Sequence, residues 1–251
     1  MTCRQINSEL SRGEELTPKA HDHLLACRPC RELFSTLDDR DDAPPSAALL
    51  ARLESPLRRN LVPVAPLAST TRYFAGLLVV FLLVVALGAY LTRPFALFVV
   101  PPLQLGTLLA ALALSAALLV DSLVRQMTPG SRHRIPPRVL AVALSLLLPL
   151  VAVSLFHVHR ERNFCLRGWA CFWVGLALAA FAVLPLGLLV RRGAILSPRL
   201  AGVATGMLAG LAGATALQLH CPNLNLLHIL VWHLGVVALG AMGGLALRWK
   251  Y

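Results

Sequence analysis

Six apolar runs decide what this chain can fold into. They cover about Tyr73–Leu91, Phe95–Val120, Val139–Phe156, Trp169–Val190, Leu200–Gln218 and Leu227–Leu247. Each comes close to the roughly 20 residues that a helix needs to cross the hydrocarbon core of a bilayer. Inside that core every backbone N–H and C=O must be satisfied by the protein itself, and a helix does so within one segment. The expected fold is therefore all-α, with a six-helix transmembrane bundle over residues 73–251. The second run contains Pro101-Pro102, so its helix is expected to be kinked or to begin late.

Charge separates the rest of the chain from the spans. The formal net charge of +11 would by itself invite a nucleic-acid partner. Its distribution excludes that reading. Residues 1–60 hold ten of the twelve acidic residues and nine bases, whereas residues 61–251 hold fourteen bases and only two acids. Those bases lie between the apolar runs, as loop charges of a membrane protein do, rather than on a phosphate-binding face. With the N-terminus inside, ten of them fall on inner ends and loops: Arg72, Arg125, Arg132, Arg134, Arg138, Arg191, Arg192, Arg199, Arg248 and Lys250. Four fall outside: Arg93, Arg160, Arg162 and Arg167. The positive-inside rule then places both termini in the cytoplasm. The first sixty residues contain no apolar stretch with a cleavage site. The head is thus expected in the cytoplasm, where a cysteine cluster signals a metal before a disulfide.

Such a cluster is present. His23, Cys27 and Cys30 form H-x3-C-x2-C. His23 and Cys27 are four apart, one turn along one face of a helix. Pro29 disfavours helix at Arg28 and turns Cys30 back towards them. Zinc takes four such ligands in a tetrahedron. Cys3, at the end of a helix over Arg4 to about Leu16, could be the fourth. His21 is a rival, but its six-residue gap to Cys27 is not a one-face spacing. Thr17 and Pro18 start the helix that carries Leu24 and Leu25 inward, and Leu33, Phe34 and Leu37 share a face of the next. A domain of this size buries little, and a metal would supply what burial does not. A charged break follows at 38–45. Beyond it a short amphipathic helix presents Leu49, Leu50 and Leu53, to lie against a partner or on the membrane surface. The expected domains are a zinc-binding head over 1–42, this helix and a linker over 43–72, and the spans.

Cys3, the break at Thr17-Pro18, and His23-x3-Cys27-x2-Cys30 followed by Arg31-Glu32-Leu33-Phe34 resemble the zinc-binding anti-sigma factor family. The resemblance covers residues 1 to about 40. It implies a small helical domain holding Zn2+ through Cys3, His23, Cys27 and Cys30, and keeping a bacterial sigma factor inactive. Leu33, Phe34, Leu37, Leu49, Leu50 and Leu53 are the candidate partner contacts.

The outer ends of the spans collect His157, His159, Cys165, Cys171, His220, Cys221, His228 and His233. Thiols and imidazoles are metal ligands and redox groups, which makes this a candidate sensor. His228 and His233, five apart, are not expected to share a face. His233 lies more than a turn inside the sixth span, where an ionisable group needs a partner or a role. Gly202, Gly206 and Gly210 in the fifth span and Gly240, Gly243 and Gly244 in the sixth would let helix backbones pack closely.

Arg191-Arg192-Gly193-Ala194, the Gly-rich fifth span, His220-Cys221-Pro222 and Trp232-His233 resemble the six-span NrsF-like negative regulators of sigma factors. This resemblance covers about Tyr73 to Tyr251 and implies two cysteines facing the periplasm. By position Cys171 matches the first and Cys221 the second. Cys165 is an extra cysteine, so its pairing with Cys221 in place of Cys171 stays open.

Together the resemblances imply an anti-sigma factor of the bacterial inner membrane. It would be a non-enzymatic protein that holds an extracytoplasmic-function sigma factor and releases it on an external signal, with or without a regulatory protease. The alternatives are a membrane thiol oxidoreductase working through Cys165 and Cys171, and a zinc-domain regulator of another cytoplasmic partner. A transporter is disfavoured, since the spans offer few polar groups beyond Gln104 and His233. The topology is directly testable. Reporter fusions after Arg134 and after Lys250 should both read as cytoplasmic, and a periplasmic signal at either would overturn it.

Overall fold

The computed structural model describes residues 2, 3, 5, 6, 17–38, 50, 52, 54, 67–131, 134–159, 163–195 and 197–246, with the side chains of 36–38 outside the description. The chain divides into two compact units, Met1–Val64 and Ala65–Tyr251. Among the described residues there is no strand, only an isolated bridge between His157 and Asn225. The expected all-α class holds.

In the first unit, α1 spans Pro18–Ala26 and α2 spans Arg28–Asp38. Thr17 is the N-cap of α1, and its carbonyl accepts from Ala20 and His21. Pro18 follows at the first helical position, where its missing N–H costs nothing. The break between the helices falls at Cys27, one residue before the expected Arg28. Pro29 is the second residue of α2, where it needs no helical donor. Arg31 closes the corner: its Nε donates to Leu24 O at 3.2 Å, and its Nη2 donates to Leu25 O. Ile6, Ala20, Leu24 and Cys30 are buried, with Cys27 and Phe34 packed beside them. Leu25 does not turn inward as expected; it is 65% exposed, because Leu24 takes the inward position. Leu33 and Leu50 are exposed and Phe34 is half-buried, while Leu49 and Leu53 lie outside the described residues, as does most of the expected 4–16 helix.

In the second unit, α3 (Thr70–Thr92) leads through the short α4 (Ala96–Val99) into α5 (Pro102–Met127). The second span thus begins late, after the Pro-Pro pair. There follow α6 (Pro137–Leu155), α7 (Phe164–Arg191), α8 (Pro198–His220), α9 (Leu226–His228), a π turn (Ile229–His233) and α10 (Leu234–Ala246). Pro102, Pro137 and Pro198 start their helices at the first position. Among the described residues six helices are long and apolar enough to cross a membrane: α3, α5, α6, α7, α8 and Leu226–Ala246.

The centre of this unit is α8. Its most apolar window is 89% buried, against 22% for α3. Small side chains explain the position. A Cβ on Gly206 would land on Gly240 O, one on Gly240 would land on Gly206 O, and one on Gly244 would meet Gly202 O. A Cβ on Gly210 would stand 2.6 Å from Val237 Cα. Gly206, Gly210, Gly240 and Gly244 therefore serve packing within one chain, as the sequence suggested; Gly243 does not, since a Cβ there meets nothing within 4 Å. Hydrogen bonds tie the two ends of the bundle. At the end where α3 begins, Tyr73 Oη donates to Arg192 O at 2.8 Å and Ala194 N to Met127 O at 3.0 Å. At the other end, Gln104 Nε2 donates to Leu155 O at 3.1 Å, and Asn225 Nδ2 to His159 O at 2.7 Å.

The glycine seam predicts an asymmetry. Gly206→Leu must push α8 and α10 apart and should lower stability by about 3 kcal/mol, the upper end of overpacking costs. Gly106→Ala, where a Cβ meets nothing within 4 Å, should change it by less than about 1 kcal/mol. Denaturant unfolding in detergent, followed by helical signal, checks both.

Candidate metal centres

Two clusters of thiols and imidazoles stand out. Cys3, His23, Cys27 and Cys30 form one; Cys171, Cys221, His228 and His233 form the other. Within each, the four ligand atoms lie within 4.8 Å of one another.

In the head, α1 supplies His23 and the corner after it supplies Cys27, one turn apart. The first turn of α2 supplies Cys30. Cys3 comes from the N-terminal segment, held in place by buried Ile6. Cys3 Sγ stands 3.6 Å from His23 Nε2 and 3.7 Å from Cys27 Sγ. Zinc–sulfur bonds of about 2.3 Å and zinc–nitrogen bonds of about 2.0–2.1 Å give tetrahedral edges of about 3.6–3.8 Å. The residues therefore fit one tetrahedral ion. A backbone hydrogen bond from Cys30 holds the Cys27 thiol below its ordinary value. Burial pushes Cys30 up to about 12. A bound cation would be needed to keep Cys30 as thiolate. His21 is exposed and stands outside the cluster.

In the second unit, Cys171 lies in the second turn of α7 and Cys221 directly follows α8. Cys171 Sγ donates to Cys221 Sγ at 3.9 Å. Cys165 is exposed and outside the cluster, so of the two candidates the fold brings Cys171 to Cys221. Cys221 Sγ is 3.5 Å from His228 Nε2. The hydrogen bond with Cys171 and then burial push the Cys221 thiol above its ordinary value.

His228 and His233 correct the sequence reading. Their ring centroids are 5.3 Å apart. Five residues would not share a face of an α-helix, but the backbone between them is a π turn, with Leu234 N–H bonded to Ile229 O. Nothing in the residue pattern signals that turn. Gln218 is the other residue the sequence did not suggest. Its Oε1 accepts from His233 Nδ1 at 3.1 Å, which leaves Nε2 of His233 as the lone-pair nitrogen. His157, His159 and His220 stay outside the cluster. The first bridges to Asn225, the second lines a cavity of about 590 Å³ with Arg167, Cys171 and Cys221, and the third donates to Arg93 O.

Six helices long and apolar enough to cross a membrane, beside a separate unit that carries a cysteine–histidine cluster, define a class: an all-α chain with the make-up of a membrane protein. Residues 50–250 match the family model for NrsF, negative regulator of sigma F, and the chain belongs to that family. A 69-residue stretch is 46% identical to the anti-sigma-F factor NrsF of Caulobacter vibrioides (strain NA1000 / CB15N), covering 27% of this chain. The match spans 32% of that relative, about a third of its length. No solved structure matches the chain. The head cluster lies before residue 50, outside the family match.

Removing metal separates the head from the bundle. Chelation, or Cys27→Ser, should unfold a 1–64 fragment, because structural zinc contributes folding free energy of about 10 kcal/mol or more in small domains. Far-UV dichroism with metal analysis reads this. A metal-free fragment that keeps its helices would exclude a structural ion.

Proposed function

We propose that the chain is a membrane-bound anti-sigma factor whose cytoplasmic zinc head sequesters a sigma factor of the extracytoplasmic-function type. The observation that carries this reading is membership of the negative-regulator family over residues 50–250. The head adds a set of four converging donors, and Leu25, Leu33 and Leu50 of the same unit are exposed. The first 42 residues act as the binding domain, residues 43–72 connect, and the spans hold the complex at the bacterial inner membrane with both termini in the cytoplasm. Binding is the mechanism, so the chain acts without catalysing a reaction. Release follows an external signal, through two states of the head that differ in affinity for the sigma factor.

Exposed leucines beside a half-buried Phe34 suit a partner that covers them with its own apolar surface. Affinity capture of the full chain from native membranes should recover a sigma factor, identified by mass spectrometry. Leu33→Glu should weaken that capture about tenfold or more, the effect of losing about 1.4 kcal/mol at an interface, with zinc content unchanged. Recovery of a different cytoplasmic regulator would replace the sigma factor in this reading and leave the zinc head standing.

A further inference from the structure

We propose that Cys171, Cys221, His228 and His233 form a second, four-coordinate site for a divalent cation of the zinc class. It stands apart from the sigma-factor reading and from the head. Three kinds of observation carry it.

Geometry comes first. The 3.9 Å between Cys171 and Cys221 Sγ and the 3.5 Å from Cys221 Sγ to His228 Nε2 are edges of a tetrahedron with ordinary zinc bonds, about 3.8 and 3.6 Å. All four donors lie within 4.8 Å of one another.

Aim comes second. His228 and His233 are each 1% exposed. His233 Nε2 is buried without a hydrogen-bond partner. Gln218 holds the Nδ1 proton of that ring, the outer contact that orients a metal-bound imidazole. The π turn is what brings both rings to one point, and π turns recur at functional sites.

Charge comes third. Two thiolates and two neutral imidazoles around a divalent ion sum to zero. A neutral centre is what a largely buried position tolerates. A monovalent ion would leave a net negative charge there. Tetrahedral S2N2 ligation selects zinc-class ions over magnesium, calcium or manganese, which prefer oxygen donors. Binding releases the two thiol protons to water, and no oxidant or reductant takes part.

The test is a cobalt titration of the full chain in detergent, stripped of metal under reducing conditions. Wild type should take up about two equivalents with tetrahedral, thiolate-to-metal absorption. Cys171→Ser, His228→Ala and His233→Ala should each take up about one. A Cys27→Ser/Cys30→Ser chain should keep the second equivalent, with two thiolates contributing absorption instead of the three of the head. Cys171 is only half-buried, unlike Cys221, His228 and His233, so Cys171→Ser is the mildest variant, and helicity and elution volume check its fold. An independent reading uses wild type alone: zinc should slow alkylation of Cys171 and Cys221 and leave Cys165 as reactive as before. Uptake confined to the head, or alkylation of Cys171 and Cys221 unchanged by zinc, would overturn the site. So would reduced protein in which Cys171→Ser binds as much cobalt as wild type.

Discussion

The second unit depends on how closely the backbones of α8 and α10 approach. In hydrocarbon, apolar surface gains little by leaving lipid for protein, and close packing supplies much of the association. Gly202, Gly206 and Gly210 against Gly240 and Gly244 put backbone on backbone, where any side chain would collide. That seam fixes the register of the sixth span against the fifth. It therefore also fixes where the fifth span ends at Cys221 and where the sixth begins at His228 and His233. The same logic extends to α7: a Cβ on Gly213 would meet Gly175 O, which brings the α7 that carries Cys171 alongside. Three of the four donors of the bundle cluster come from segments held together by glycine contacts far from them, and His228 joins through the turn.

The two donor sets differ in composition and in setting. The head offers three sulfurs and one imidazole, on a unit whose described residues bury Ile6, Ala20, Leu24 and Cys30 together. Around a divalent ion that set carries a net negative charge, which Arg31 beside Cys27 offsets. Such a domain has few other means of holding its helices together. The bundle set offers two sulfurs and two imidazoles in a unit that its own packing already orders. Loss of an ion from the head would cost the fold, and loss from the bundle would cost a local arrangement. A structural site and a responsive site call for these opposite dependences.

Much of this was legible in the residues. Run length and apolarity gave six spans, because a bilayer sets a fixed length and tolerates no unpaired backbone. The late start of the second span followed from Pro101-Pro102. H-x3-C-x2-C foretold that His23, Cys27 and Cys30 converge, since α-helical spacing and one proline-directed break are local effects. The choice between Cys165 and Cys171 stayed open in the residues, and the fold brings Cys171 to Cys221. What stayed illegible was non-local. Leu24 and Leu25 are adjacent, and tertiary packing alone chose the first for burial. The five-residue step from His228 to His233 argued against a shared site because α-helical periodicity was assumed, and a π turn has no residue signature. Gln218 looked like the end of a span, and only the fold shows that it faces a histidine seven residues beyond the next helix start.

That π turn also bears on how binding at one end could be felt elsewhere. A ligand shifts a conformational equilibrium only by its difference in affinity between the states. In an α-helix, residues five apart are rotated by about 140°, so relaxing the turn to α-helix would part the two imidazoles and take one of the four donors away. Taking up the extra residue of the π turn would also rotate α10 by about 100° and shift it by about 1.5 Å. Gly240 and Gly244 would then leave their places against Gly206 and Gly202, and side chains would replace them in the seam. The seam and the proposed ion therefore favour the same state. Moving such an equilibrium from 1:99 to 99:1 takes about 5.5 kcal/mol of differential binding. Zinc bound by thiolates and imidazoles in small domains contributes about 10–16 kcal/mol in all, so the share that depends on the second imidazole decides how far the ion biases the register of the sixth span.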